Sequence, residues 1–188
     1  MRIAVSGTHC CGKSTLIDAF LLAHPDFSHE PEPYTVLVED YGEVFAAEPS
    51  ADDFYRQLEF NVDRLRRYRS GERVIYERSP VDFLAYLLGL NDLKRDGEAA
   101  RLVEKSVGIV IDAIQFLDLI VFLPLNDGDR IVTPDSEDPE LRSAVNYRLT
   151  GIFNDDDFNL FTAHQPVILE ARGSTAERLG IVETAISD

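Results

Sequence analysis

Apolar residues along this chain fall in short unbroken runs separated by amphipathic stretches. Ile3-Ala4-Val5, Val74-Ile75-Tyr76, Leu119 to Leu123 and Val167-Ile168-Leu169 are continuous apolar runs. Runs of this length read as strands buried on both faces. Phe27 to Tyr34, stiffened by Pro31 and Pro33, is predicted as a further extended segment. Between the runs the spacing turns helical. Leu16, Ile17, Phe20 and Leu21 recur at helical intervals until Pro25 stops them. A helix is predicted from about Asp53 to Arg69, with Ser50 and Asp53 at capping-box spacing and Phe54, Leu58, Val62 and Leu65 as its core stripe. Others are predicted from Ser79-Pro80-Val81-Asp82, over Glu98 to Phe116, from near Pro139, and after Ser174 and Glu177. Strands alternating with helices predict an α/β protein: five parallel strands in the middle layer of three, with helices on both faces. Residues 126 to 138, polar and rich in turn formers, are expected to form a small lid on one domain spanning residues 1–188.

The first strand runs directly into GTHCCGKST, residues 7 to 15. This segment satisfies G-x-x-x-x-G-K-[ST] in full, between a strand and a helix. Gly7 and Gly12 permit the backbone angles that let the amides of Thr8, His9, Cys10, Cys11 and their neighbours converge on phosphate oxygens. Lys13 supplies a compact positive charge, Ser14 a hydroxyl for Mg²⁺, and Thr15 continues into the helix, whose positive end faces the same anion. A glycine-rich turn can also merely join a strand to a helix, but that role needs neither the lysine nor the hydroxyl. ATP with Mg²⁺ is the predicted ligand.

In parallel sheets, ligands gather at the carboxyl ends of the strands. The polar residues trailing each apolar run therefore become candidates. Glu77 is a candidate carboxylate for Mg²⁺, which takes oxygen ligands and retains waters. Arg78 beside it can bridge phosphate oxygens with its planar fork; a structural ion pair is the competing role. Ser79 and Asp82 are explained by a helix cap alone. Glu30 and Glu32 stand two apart in the proline-stiffened segment. Glu32 is the candidate to receive a proton from an acceptor hydroxyl, and Glu30 reads as a solvated surface acid. Gln57, Asn61 and Arg64 form a polar stripe beside the core stripe of their helix. Such stripes usually face water, yet the Gln57 amide could read the edge of a nucleobase. Arg130 is the leading candidate to fold over the triphosphate. Arg142 is a lesser one, and Arg148, six residues further on, must point to another face. Arg66, Arg67, Arg69 and Arg73 are expected to pair with surface acids.

Charge narrows the classes. The 188 residues carry a formal charge of −16, which argues against nucleic acid as a partner. Only three lysines occur, at 13, 94 and 105, so the loop lysine stands out among arginines. The two cysteines, Cys10 and Cys11, are adjacent and cannot form an ordinary disulfide with each other. No apolar stretch is long enough to span a membrane and no signal peptide pattern precedes the first strand, so the cytoplasm is the expected address. The sequence admits a homodimer as well as a monomer.

Taken together, GTHCCGKST, Glu32-Pro33-Tyr34, Gln57 within FYRQLEF, ERSPVDFLAY at 77 to 86, Asp127 to Arg130, and Gly173-Ser174 with Arg178 resemble the P-loop nucleoside and nucleotide kinases. The likeness extends to a bacterial branch of AAA-family ATPases related to deoxynucleoside kinases and the ribosylnicotinamide kinase domain. It runs over most of the chain and implies the three-layer P-loop NTPase fold with a lid closing over ATP. By the same resemblance Glu32 corresponds to the catalytic base and Gln57 to the base-reading glutamine. Glu77 corresponds to a Mg²⁺-coordinating carboxylate, Arg78 to a phosphate-contacting arginine, and Gly173 to a turn flanking adenine. Two departures stand out. The lid carries Asp135, Glu137 and Asp138 where deoxynucleoside kinases concentrate arginines, and Tyr34, Phe54 and Tyr86 are the aromatic residues left to sandwich a base. The implied activity is transfer of the γ-phosphoryl of ATP to a hydroxyl of a small, nucleoside-like molecule, with Lys13, Glu32, Arg78 and Arg130 carrying the chemistry. An acceptor already phosphorylated would call on Arg56 or Arg64. The alternative is an ATP-binding switch or slow ATPase acting through a protein partner.

Overall fold

In the computed structural model, five strands lie parallel in the order β2-β3-β1-β4-β5. The structure describes residues 1–46, 48–69, 71–125, 138–161 and 166–187. In chain order the elements are β1 (Arg2–Ser6), α1 (Lys13–Ala23), β2 (Ser28–Glu30), α2 (Pro33–Glu39), α3 (Ala51–Arg67) and β3 (Val74–Glu77). They continue with α4 (Pro80–Asp92), α5 (Ala99–Ile114), β4 (Leu119–Phe122), α6 (Pro139–Asp155), β5 (Val167–Glu170) and α7 (Thr175–Ser187). The lid expectation falls almost wholly on residues 126–137, which lie outside the described residues, as does Arg130.

Alternation along the strands explains the two cores. Ile3 and Val5 project to one face with Ile75, Leu119 and Val121, against Leu16, Ile17 and Phe20 of α1 and Val182 of α7. Ala4, Val74, Tyr76, Ile120 and Phe122 project to the other, against α3, α4, α5 and α6. β3 and β4 are buried throughout, whereas β2 and β5 at the sheet edges are partly exposed. Continuous apolar runs thus sit centrally, where both faces are covered. None of the described helices is long and apolar enough to cross a membrane.

Two local expectations change. The extended segment ends early: Glu32 caps a short helix that begins at Pro33, so Tyr34 is helical. The cause is the Pro-Glu-Pro sequence. A residue before proline is held extended, as Glu32 is at φ −53° and ψ 131°, and proline is preorganised for the first helical position. The polar stripe of α3 is also not solvated. Gln57, Asn61 and Arg64 are 6%, 0% and 1% exposed, because α4 and the end of β2 cover that side. Glu30 is correspondingly not a free surface acid: Arg64 Nη1 donates to its Oε2 at 3.2 Å and the Tyr68 hydroxyl to its Oε1 at 2.5 Å.

Candidate nucleotide and acceptor site

The register sets the site. Val5 of β1 pairs with Glu77 of β3, and Ser6 pairs with Phe122 of β4. The chain leaving β1 therefore emerges between the carboxyl ends of its two neighbours. It turns at Gly7 (φ 153°), passes Cys10 in the left-handed region (φ 52°), and enters α1 through Gly12 (φ 91°). A Cβ on Gly7 would lie 2.5 Å from Cys11 Sγ and 2.7 Å from the Leu123 carbonyl. The Gly7→Ala variant should therefore displace the loop. Nucleotide affinity is expected to fall at least about tenfold, with a stability loss of about 1–3 kcal/mol, readable by titration calorimetry and denaturant unfolding.

Cationic side chains hold five successive carbonyls of this loop. Arg78 Nη1 donates to Gly7 O at 3.1 Å, and Lys13 Nζ donates to Thr8 O at 2.9 Å. Arg142 donates from Nε to His9 O (2.9 Å) and from Nη2 to Cys10 O (3.0 Å), while Arg178 Nη1 reaches Cys11 O at 2.9 Å. Each trans peptide directs its N–H opposite to its carbonyl. The amides of residues 8 to 12 are thereby aimed away from the cations that hold their carbonyls. Lys13 is 5% exposed and Thr8 fully buried. Thr15 is exposed at the start of α1. Cys11 is buried against the first core, and Cys10 is partly exposed.

Arg78 is the hub. Its backbone lies in the left-handed region (φ 74°), uncommon for a side chain with a Cβ. Its N–H donates to Val5 O and its carbonyl accepts from Asn61 Nδ2 at 3.2 Å. That turn sends the guanidinium inward, where it is 3% exposed. Nε donates to Glu32 Oε1 at 2.5 Å, Nη2 to the Tyr86 hydroxyl at 3.4 Å, and Nη1 lies 3.5 Å from Asp82 Oδ1. Burial opposes the Arg78 charge, but Glu32, Tyr86 and Asp82 overcome this and raise its pKa well above the ordinary value. For Glu32, burial pushes the carboxyl up, while the charges of Arg78 and Lys13 more than offset it and hold the pKa at about 2. The two shifts are one interaction seen from its two ends.

That depression ties stability to pH. A carboxylate whose pKa drops from 4.5 to about 2 on folding stabilises the fold fully above pH 4.5. The contribution is lost as pH falls toward 2. Glu32 is 22% exposed, and the shift corresponds to about 3 kcal/mol. Unfolding free energy should decline over that acid window in the wild-type protein, and the Glu32→Gln variant should lack that part of the decline.

Ser79 and Asp82 form the expected capping box on α4, but the cap is only half of their role. Asp82 Oδ1 also accepts the Gly7 N–H at 2.8 Å, and the Ser6 hydroxyl donates to Ser79 Oγ at 2.7 Å. The cap thus ties the loop to the end of β3. A capping pattern in sequence carries no sign of this second bond. Arg142 and Arg178 were equally hard to weigh, since each acts across more than 130 residues of chain.

On the outer side, the Ser14 hydroxyl donates to Glu77 Oε1 at 2.9 Å. The pair offers adjacent hard oxygen donors, the type Mg²⁺ prefers. Among the described residues there is no cluster of three or more His, Cys, Asp or Glu side chains able to hold a metal. One carboxylate and one hydroxyl fit an ion that keeps waters and phosphate oxygens as its remaining ligands.

A cavity of about 350 Å³ opens beside the loop, with Glu32, Arg78, His9 and Arg142 at one end. Gln57, Phe54 and Tyr86 also line it. Phe54 and Tyr86 stack at 4.4 Å between centroids, and Tyr34 and Phe45 meet at 5.2 Å. Gln57 is 6% exposed and lines the cavity, and its amide makes no hydrogen bond among the described residues. An amide open to a cavity can donate to and accept from a ligand there. Arg148 points elsewhere, to Asp92. Arg66 and Arg73 make the expected surface pairs with Asp63 and Asp26. Gly173 follows β5 in the left-handed region (φ 94°), held beside Glu177, which caps α7 through Ser174.

A glycine-bent loop bearing Lys13, at the carboxyl end of the central strand of a parallel sheet, defines a P-loop nucleotide-binding protein. A family described as AAA domain matches residues 2–178, and the chain belongs to that family. No curated protein matches it. Among solved structures, deoxyadenosine kinase from M. mycoides with bound dATP has the same fold, with TM-score 0.66 and 14% identity over all of both chains. Thymidylate kinase from Candida albicans is similar over 99% of this chain and 90% of its own, with TM-score 0.63 and 14% identity. The NadR protein in complex with NR matches all of this chain and 52% of its own, with TM-score 0.59 and 17% identity. At these identities the likeness is one of fold: the P-loop kinase fold.

Proposed function

We propose that the protein transfers the γ-phosphoryl group of ATP to a hydroxyl of a small, nucleoside-like acceptor. The observation that carries this reading is the cavity itself. It brings a carboxylate and a guanidinium beside the P-loop together with the Gln57 amide, which has no hydrogen bond among the described residues, and a stacked aromatic pair. A switch or simple ATPase needs no cavity lined by an open amide and aromatic rings beside the P-loop. The fold neighbours include kinases that act on nucleosides and nucleotides, which supports the same class of reaction.

In this reading the loop amides and Lys13 bind the triphosphate, with the α1 dipole behind them. Ser14 and Glu77 hold Mg²⁺, which supplies charge neutralisation at the outer phosphates. Gly173 flanks the adenine. Gln57 and the Phe54–Tyr86 pair orient the acceptor ring. Glu32 accepts a hydrogen bond from the acceptor hydroxyl and takes its proton. With its pKa held at about 2, Glu32 is a weak base but a permanent anion. That suits phosphoryl transfer, whose loose transition state demands positioning more than early proton removal. Arg78 fixes Glu32 and completes the positive surroundings of the migrating group.

The direct test uses purified protein, ATP and Mg²⁺ against a panel of hydroxyl acceptors. ADP release should depend on one class of acceptor. Release equal with every acceptor and with none would instead establish the ATPase. In the Glu32→Gln variant, turnover should fall by about 10²–10³ while ATP affinity stays nearly constant; unchanged turnover removes Glu32 from the mechanism.

A further inference from the structure

The cavity beside the P-loop carries a charge pattern that bears on which acceptor can enter. Among the described residues three carboxylates line it, Glu32, Asp53 and Asp138, of which Asp138 is also paired with Arg95. Both guanidiniums that line it among the described residues are engaged. Arg78 binds Glu32 and the Gly7 carbonyl, and Arg142 binds the carbonyls of His9 and Cys10. Of the described residues, Arg56 and Arg64, which an acceptor phosphate would call on, do not line the cavity. Arg56 Nη2 is paired with Glu43 at 2.5 Å. Arg64 is 1% exposed and donates to Glu30 and to the Pro31 carbonyl. A phosphate carried in by the acceptor would meet carboxylates and committed cations, and each arginine diverted to it would uncover a buried carboxylate or a loop carbonyl. The remaining features favour a flat, uncharged ring: stacked Phe54 and Tyr86, and the partnerless amide of Gln57.

We infer that the acceptor enters without a phosphate of its own, as a nucleoside and not as a nucleoside monophosphate. This rests on the proposed acceptor role of the cavity and narrows it. The kinase fold serves both kinds of acceptor among the neighbours, so the fold makes no choice between them. The choice comes from where Glu43, Glu30 and the loop carbonyls have drawn Arg56, Arg64 and Arg142.

The experiment compares purine and pyrimidine nucleosides with their matching 5′-monophosphates, by titration calorimetry on the whole protein and by ADP release with ATP and Mg²⁺. At least one nucleoside should bind at least tenfold more tightly than its monophosphate. Asp53→Asn, which keeps the capping geometry, should lower that ratio roughly fivefold, since one unit charge several ångströms away is removed. Asp138→Asn, with asparagine an equally good N-cap, provides a second variant should the first unfold. A monophosphate that binds as tightly as its nucleoside, or more so, overturns the inference and leaves the transferase reading standing. Absence of binding by every nucleoside overturns it as well. A nucleoside that binds without stimulating ADP release overturns the transferase reading, and with it the inference that rests on that reading.

Discussion

Replacing Lys13 by alanine is expected to lower acceptor-dependent ADP release by about 10²–10³-fold and to weaken ATP binding by at least about tenfold. The ammonium is 5% exposed and its oxygen partner is the Thr8 carbonyl, 2.9 Å away. That carbonyl is neutral and the nearby Glu32 carboxylate is already bound by Arg78, so the ammonium is preorganised for a further anion. Moving a phosphate oxygen into that position brings attraction between opposite charges in a region shielded from water, where such attraction is strong. Arginine should not rescue the variant, because its broad fork cannot take the place of a compact ammonium within the loop. Because the protein with Lys13 buries a poorly compensated charge, the alanine variant should unfold at nearly the same denaturant concentration as the wild type. Turnover within a few-fold of wild type would remove Lys13 from the phosphate site.

The second large effect is expected at Arg78. Arg78→Ala should destabilise the fold by about 3–5 kcal/mol, the usual consequence of stranding a buried charge, and should also abolish most turnover. Two carboxylates lose their cation. Asp82 is fully buried and keeps the Gly7 N–H, the Ser79 N–H and the Ser79 hydroxyl as donors. Glu32 loses the 2.5 Å bond that sets its low pKa. The diagnostic is therefore a double-mutant cycle. Adding Glu32→Ala to Arg78→Ala should cost much less than the sum of the single changes, with a coupling of about 1–3 kcal/mol. Additive effects would mean that Arg78 acts through the loop carbonyl and not through Glu32. Arg78→Gly should be more stable than Arg78→Ala by about 1 kcal/mol, because glycine occupies the left-handed backbone without strain.

Much of this molecule is legible from local chemistry. Continuous apolar runs marked the buried strands, capping boxes at Ser50 and Ser79 marked two helix starts, and the spacing of GTHCCGKST marked the loop. These signals are short-range: a cap, a glycine angle or a periodicity depends on neighbours a few residues away. Local chemistry is ambiguous at Pro33: two prolines around Glu32 favour extension, yet the second opens α2. The polar stripe of α3 is ambiguous in the same way. Spacing identified Gln57, Asn61 and Arg64 as one face but could not say what would cover it. Asn61 supports the strained Arg78 backbone, Arg64 takes Glu30, and Gln57 opens on the cavity. One face of one helix thus serves three different purposes.

Arg142 shows the same limit from the other side. Its sequence position makes it a lesser candidate than Arg130 to lie over phosphate; the structure puts it on the carbonyls of His9 and Cys10, and Arg130 lies outside the described residues. The order of strands and helices, and the loop between the first of each, follow from hydrophobic runs and glycine angles that adjacent residues dictate. The partnerships of the arginines follow from nothing local. A guanidinium on a long side chain takes whichever carboxylate or carbonyl the packed helices bring within reach, and in this chain that assignment is what shapes and charges the cavity beside the P-loop.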